Sequence, residues 1–74
     1  MTLNELVKII EDVLGSDVKI NPNDPIMESG LKIDSLAMLR LFTEIEKVAG
    51  KSIDQEDAFE LFGLSLNQIV ERYS

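Results

Sequence analysis

Residues 30–50 of the 74-residue chain, GLKIDSLAMLRLFTEIEKVAG, contain the pattern that decides the fold. A step of about 100° per residue from Ser35 places one apolar set within an arc of about 120°. This set is Met38, Leu41, Phe42, Ile45, Val48 and Ala49. Asp34 and Ser35 are both residue types that cap a helix start, and Gly50 is suited to end one. The pattern predicts an amphipathic helix from about Ser35 to Ala49, with this set facing the core.

The first segment predicts a second helix, from Leu3 to Leu14. Its apolar residues recur at helical spacing, and they are Leu3, Leu6, Val7, Ile10, Val13 and Leu14. Thr2 followed by Glu5 has the spacing of a capping box, in which each side chain bonds the backbone of the other. Gly15 is expected to end the helix.

The last third of the chain predicts a short helix followed by a further one. Residues 54–60 are acidic and are expected to form about one or two turns, with Phe59, Leu61 and Phe62 pointing inward. Gly63 should break the chain, and Ser65 with Gln68 repeats the capping-box spacing. The inner side of the last helix is predicted to carry Leu66, Ile69, Val70 and Tyr73.

Residues 16–34 between the first two helices are dense in Pro, Asn, Asp and Gly, and predict a long ordered loop. Its expected apolar anchors are Val18, Ile20, Ile26, Met27 and Leu31. Asn21, Asn23, Asp24 and Glu28 raise the alternative of a calcium loop. An EF-hand needs glycine at its sixth position, and counting from Asn21 places Ile26 there, so we expect no metal site.

The predicted fold is all-α: a small four-helix bundle of three main helices and one short helix, with a long loop between the first two. Residues 1–74 are expected to form a single domain, whose size leaves little room for an enclosed active-site cleft. The chain has no cysteine and no histidine, and its 14 acidic against 7 basic residues give a net charge of −7. This charge disfavours nucleic acids and anionic membranes as partners. The absence of cysteine and of a visible secretory signal favours the cytoplasm.

Ser35 is the candidate functional residue, because it lies at a helix entrance. Free N–H groups and the positive end of the helix dipole favour a phosphate there. Leu36 and Leu39 fall off the core stripe and suggest a small apolar contact patch. The same side of the helix carries Arg40, Thr43, Glu46 and Lys47. The alternatives are that Ser35 only caps the helix and that the preceding loop covers the leucines.

Gly30, the run Ile33-Asp34-Ser35-Leu36 and the four-helix layout resemble the acyl/peptidyl carrier protein family over essentially the whole chain. The resemblance implies a freestanding carrier rather than an enzyme. A phosphopantetheinyl transferase would esterify Ser35 with 4′-phosphopantetheine from coenzyme A, and Asp34 would assist this loading near the transferase's Mg²⁺. The thiol of the arm would then hold acyl or aminoacyl groups as thioesters. Leu36, Leu39 and Arg40 would form the face that loading and processing enzymes read, and the carrier would be a monomer.

Two departures from the family pattern leave the cargo open. Lys32 stands where many members have glycine, and Ala37, Met38 and Arg40 occupy a stretch that tends to be acidic in the fatty-acid type. Carriers of fatty acid, polyketide, nonribosomal peptide and D-alanyl type therefore all stay possible. A different class of function is an unmodified helical interaction module that uses the Leu36/Leu39 face, with Ser35 as a cap.

Overall fold

The computed structural model describes residues 1–73 and contains four α-helices in the predicted order. They are α1 (Leu3–Leu14), α2 (Ser35–Ala49), α3 (Gln55–Leu61) and α4 (Leu66–Arg72), with a 3₁₀ turn at Ile26–Glu28. The described part of the chain has no β-strand beyond an isolated bridge between Pro25 and Ser65. No helix in it is long and apolar enough to cross a membrane. The all-α prediction is therefore confirmed, and α4 has the same seven-residue length as α3.

Local signals fix the ends of the helices as the sequence predicts. Both capping boxes form: Thr2 pairs with Glu5 before α1, and Ser65 pairs with Gln68 before α4. In the first box, the hydrogen bonds from Thr2 lower the pKa of Glu5. Gly15 and Gly50 follow α1 and α2 at φ 73° and 68°, a left-handed conformation that side chains with a Cβ disfavour. The bounds of both long helices therefore follow from their neighbouring residues.

Helix α1 packs against both α2 and α4. The core consists of side chains from these helices and from the other segments. Its buried apolar residues are Leu6, Ile9, Ile10, Ile26, Leu41, Ile45, Leu61, Leu66, Ile69 and Tyr73. The hydroxyl of Tyr73 is buried without a hydrogen-bond partner among residues 1–73, and burial raises its pKa.

The long loop between α1 and α2 is ordered because its backbone bonds the turn between α3 and α4. The N–H groups of Ile26 and Met27 donate to the carbonyls of Leu64 and Phe62 at 3.1 and 3.0 Å. The backbone N–H of Asn67 donates to the carbonyl of Pro22 at 3.0 Å. These bonds satisfy several backbone polar groups of the loop, whose one regular element is the 3₁₀ turn.

Phe59 corrects the prediction for α3, because its side chain is 78% exposed instead of pointing inward. Leu61 is buried and Phe62 is partly buried, as predicted. Ala58, Leu61 and Phe62 are spaced i, i+3 and i+4 and share one helical side. Phe59 is rotated about 100° from Ala58 and so faces outward.

Met27 and Val48 are also more exposed than the sequence predicts, at 68% and 42%. In the 3₁₀ turn, Ile26 takes the inward position and leaves Met27 at the surface. Val48 lies near the end of α2 beside polar side chains of α1, including Lys8 and Asp12. The sequence predicts Met27 inward from its hydrophobicity and Val48 inward from its angular position on α2, and neither property identifies the segment that lies beside the residue.

Two ion pairs connect α3 to the end of α4. Arg72 donates from Nη1 to Glu60 Oε2 at 3.0 Å and from Nη2 to Asp57 Oδ1 at 3.3 Å. The hydrogen bond to Glu60 raises the pKa of Arg72. Since Asp57 and Glu60 are one turn apart, one guanidinium holds two successive turns of the short helix.

Candidate functional site

Asp34 is the residue that caps α2. Its backbone is extended (φ −83°, ψ 176°), and its Oδ1 accepts a hydrogen bond from the N–H of Ala37 at 2.8 Å. Its carbonyl accepts the bond from the N–H of Met38 at 2.9 Å that opens the helix ladder. Asp34, and not Ser35, is therefore the N-cap of α2.

Ser35 is the first residue within α2, and its side chain is exposed. Its hydroxyl makes no hydrogen bond to any other residue in the range 1–73. The backbone N–H groups of Ser35 and Leu36 likewise have no partner there, since the cap takes the N–H of Ala37. The site thus presents a free hydroxyl beside two free backbone donors at the positive end of a 15-residue helix.

The site has no group that would make Ser35 a nucleophile on its own. The chain contains no histidine or cysteine, and the neighbouring carboxylate of Asp34 accepts a backbone hydrogen bond instead of one from the hydroxyl. A serine without an adjacent base is a weak nucleophile. The described residues therefore show no base in hydrogen-bond contact with the Ser35 hydroxyl.

The outer face of α2 carries the two leucines that the helical wheel placed off the core. Leu36 is 68% exposed and Leu39 is 63% exposed, so the loop does not cover them. Arg40 is also exposed, one turn beyond Leu36. We call Leu36, Leu39 and Arg40 the α2 outer face, and the structure places all three within two turns of Ser35.

An open apolar cavity of about 610 Å³ lies between the long loop, α2 and α3. Ile33 and Met38, which flank Ser35 in the sequence, both line it, and the exposed side chains of Met27 and Phe59 lie at it as well. Gln55 is the one side chain with a polar head among those that line it. The sequence did not indicate this cavity, because Met38 and Phe42 were assigned to the core.

Asn21 and Asn23 of the long loop have structural partners. Asn21 Oδ1 accepts the N–H of Asn23 at 2.9 Å, and Asn23 Oδ1 accepts a bond from Asn67 Nδ2 at 2.8 Å. Within residues 1–73, no three acidic side chains come together as ligands for a metal ion. These asparagines shape the loop and attach it to α4.

Comparison with known proteins identifies the family of the chain. Residues 4–72 match the model of a family described as "Phosphopantetheine attachment site". A comparison with curated proteins and another with solved structures found no match to the chain. The match covers α2, α3 and α4 completely and α1 from its second residue. The chain therefore belongs to the phosphopantetheine attachment site family, whose members carry covalently bound 4′-phosphopantetheine.

Proposed function

We propose that this protein is a carrier in which Ser35 Oγ is the attachment point of the 4′-phosphopantetheine arm. The observation that carries the proposal is the free hydroxyl of Ser35 at the first position of α2. A serine at a helix start is ordinarily explained by capping. Here Asp34 performs that role through its 2.8 Å bond to Ala37, so the cap does not account for Ser35.

The residues around Ser35 fit an attached phosphodiester. The unpaired N–H groups of Ser35 and Leu36 can donate to phosphate oxygens. The helix dipole favours the added negative charge by about 0.3–1 kcal/mol at an exposed helix start. When attached, the arm supplies a terminal thiol that holds cargo as a thioester. The protein's own residues position the arm, and Asp34 assists the Mg²⁺-dependent transferase that loads it.

The cavity beside Ser35 favours an apolar acyl cargo over a small aminoacyl group. Its volume of about 610 Å³ is within the range of about 300–1,000 Å³ that is typical of small-molecule sites. A charged amino group would lose hydration there and meet only one polar side chain, Gln55, among the residues that line the cavity. Burial of an alkyl chain would stabilise the loaded carrier by about 0.8 kcal/mol per methylene.

Loading by a transferase tests the proposed function directly. Incubation with coenzyme A, Mg²⁺ and a broad-specificity phosphopantetheinyl transferase is expected to add one phosphopantetheinyl group, measured by intact mass. Fragmentation of the peptide that spans residues 33–40 should locate the added mass on Ser35. In the same assay Asp34→Asn should load more slowly, by about 10–100-fold as for other groups that support a metal site, because asparagine keeps the cap but loses the charge.

No added mass under conditions that load a known carrier would contradict the proposal and favour the unmodified interaction module. An Asp34→Asn variant that loads at the native rate would show that Asp34 does not assist loading. It would leave the proposed attachment at Ser35 unaffected.

The cargo preference is tested by comparing two loaded forms of the protein. Transfer from octanoyl- or alanyl-coenzyme A gives carriers that differ only in the group on the thiol. The octanoyl form is expected to shift the NMR methyl signals of Ile33 and Met38 relative to the unacylated form, since both line the cavity. The Val13 methyl signals on α1 serve as the internal control. Unchanged Ile33 and Met38 signals in the octanoyl form would contradict an acyl preference.

A further inference from the structure

The α2 outer face has a charge opposite to that of the protein as a whole. The chain carries a net charge of −7, yet the surface formed by Leu36, Leu39 and Arg40 contains a cation and no carboxylate. Residues 35–43 include Arg40 and no acidic residue. A partner that approaches Ser35 therefore meets two exposed leucines and a guanidinium.

The carboxylates of α2 and its cap are already engaged by other groups. Asp34 accepts the N–H of Ala37, Glu46 accepts the N–H of Ile53 at 2.9 Å, and Glu44 pairs with Lys47 at 3.3 Å. Arg40 makes no ion pair or side-chain hydrogen bond with any other residue from 1 to 73. On the α2 outer face, the guanidinium of Arg40 is therefore the charged group that is free to pair with a partner.

Arg40 also has the position that a shared interface requires. It lies four residues after Leu36, so the two side chains are neighbours on one side of the helix. A guanidinium binds a carboxylate through two parallel hydrogen bonds, which fixes orientation as well as adding attraction. Two leucines beside it supply apolar area that a partner pocket can cover.

We propose that the enzymes which dock beside Ser35 carry an apolar pocket bordered by a carboxylate, and that this carboxylate pairs with Arg40. The proposal rests on the proposed carrier function and names the chemistry of its partners. A protein is favoured over a lipid surface or nucleic acid, because the acidic remainder of the chain repels polyanions. Pairing between Arg40 and a partner carboxylate acts at short range. Steering by the carrier's overall negative charge acts at long range.

Charge reversal at Arg40 separates these two modes of recognition. The assay measures KM and kcat for loading by the phosphopantetheinyl transferase of the organism that encodes this chain. Arg40→Glu is expected to raise KM by about tenfold or more, with kcat within about twofold, as for a close charge pair at an interface. Arg40→Gln should raise KM less, since it removes the attraction without adding repulsion.

Lys8→Glu is the matched control, because it makes the same change in net charge at an exposed position on α1. Its KM should stay within about twofold of the native value, since only long-range steering changes. A fall in KM for Arg40→Glu, or equal changes in the two variants, would overturn the proposal. A native chain that is not loaded at all would instead contradict the carrier function, and the inference with it.

Discussion

Ser35→Ala is expected to abolish loading completely, so that the variant keeps its unmodified mass after prolonged incubation with transferase and coenzyme A. The hydroxyl oxygen is the atom through which the phosphodiester would form, and alanine has no substitute for it. The fold should be unaffected, because the Ser35 hydroxyl makes no hydrogen bond within residues 1–73 and Asp34 caps α2. The measurement is intact mass together with circular dichroism of the same sample.

Ser52→Ala is the matched control for this result, since Ser52 is also exposed but follows α2 instead of opening a helix. It should load at the native rate. A Ser35→Ala variant that still gains one phosphopantetheinyl group would place the attachment at another hydroxyl and refute the assignment.

Ile69→Ala is expected to lower the stability of the protein strongly. Ile69 is fully buried in α4, which packs against α1. Removing its side chain should lower the free energy of unfolding by about 2–5 kcal/mol, through lost burial and the cavity left behind. A domain of this length has about 4–11 kcal/mol in total, on the scale of 0.05–0.15 kcal/mol per residue. The variant should therefore lose a large share of its stability and unfold at a clearly lower urea concentration than the native protein.

Urea unfolding followed by circular dichroism measures this effect, and Leu39→Ala provides the comparison. Leu39 is 63% exposed on α2, so its truncation should change the free energy of unfolding by no more than about 0.5 kcal/mol. Equal losses in the two variants would mean that α4 does not pack against the core as described.

The sequence predicted the helices well where the determining signals are local. The bounds of α1 and α2 each depend on a capping residue before the helix and a glycine after it, at Gly15 and Gly50. The exposure of Leu36 and Leu39 followed from their angular position on a 15-residue helix. Long amphipathic helices repeat their pattern often enough to fix which side is buried.

The errors fall where the element is short or the neighbour is remote in sequence. A seven-residue helix has two turns, which was too few to decide between Phe59 and Ala58 as the inward residue. The hydrogen bonds that attach Ile26 to Leu64 and Met27 to Phe62 join backbone groups that are 38 and 35 residues apart, and no side-chain pattern encodes them. The cavity follows from that same arrangement of loop and α3, so it too could not be predicted.

At the candidate site, the sequence identified Asp34 and Ser35 but not which of the two caps α2. Asp34 and Ser35 are equally good caps by residue type. Only the 2.8 Å bond from Ala37 to Asp34 Oδ1 distinguishes the cap from the free hydroxyl.

The capping of α2 by Asp34 affects how enzymes can distinguish the carrier without the arm from the carrier with it. Since the start of α2 depends on Asp34, derivatising Ser35 withdraws no bond from the helix and gives the backbone no reason to rearrange. Attachment of the arm should leave the backbone conformation unchanged, so that the docking surface is the same before and after. An enzyme that acts only on the loaded protein must therefore sense the arm or its cargo, because the scaffold transmits no signal of its own.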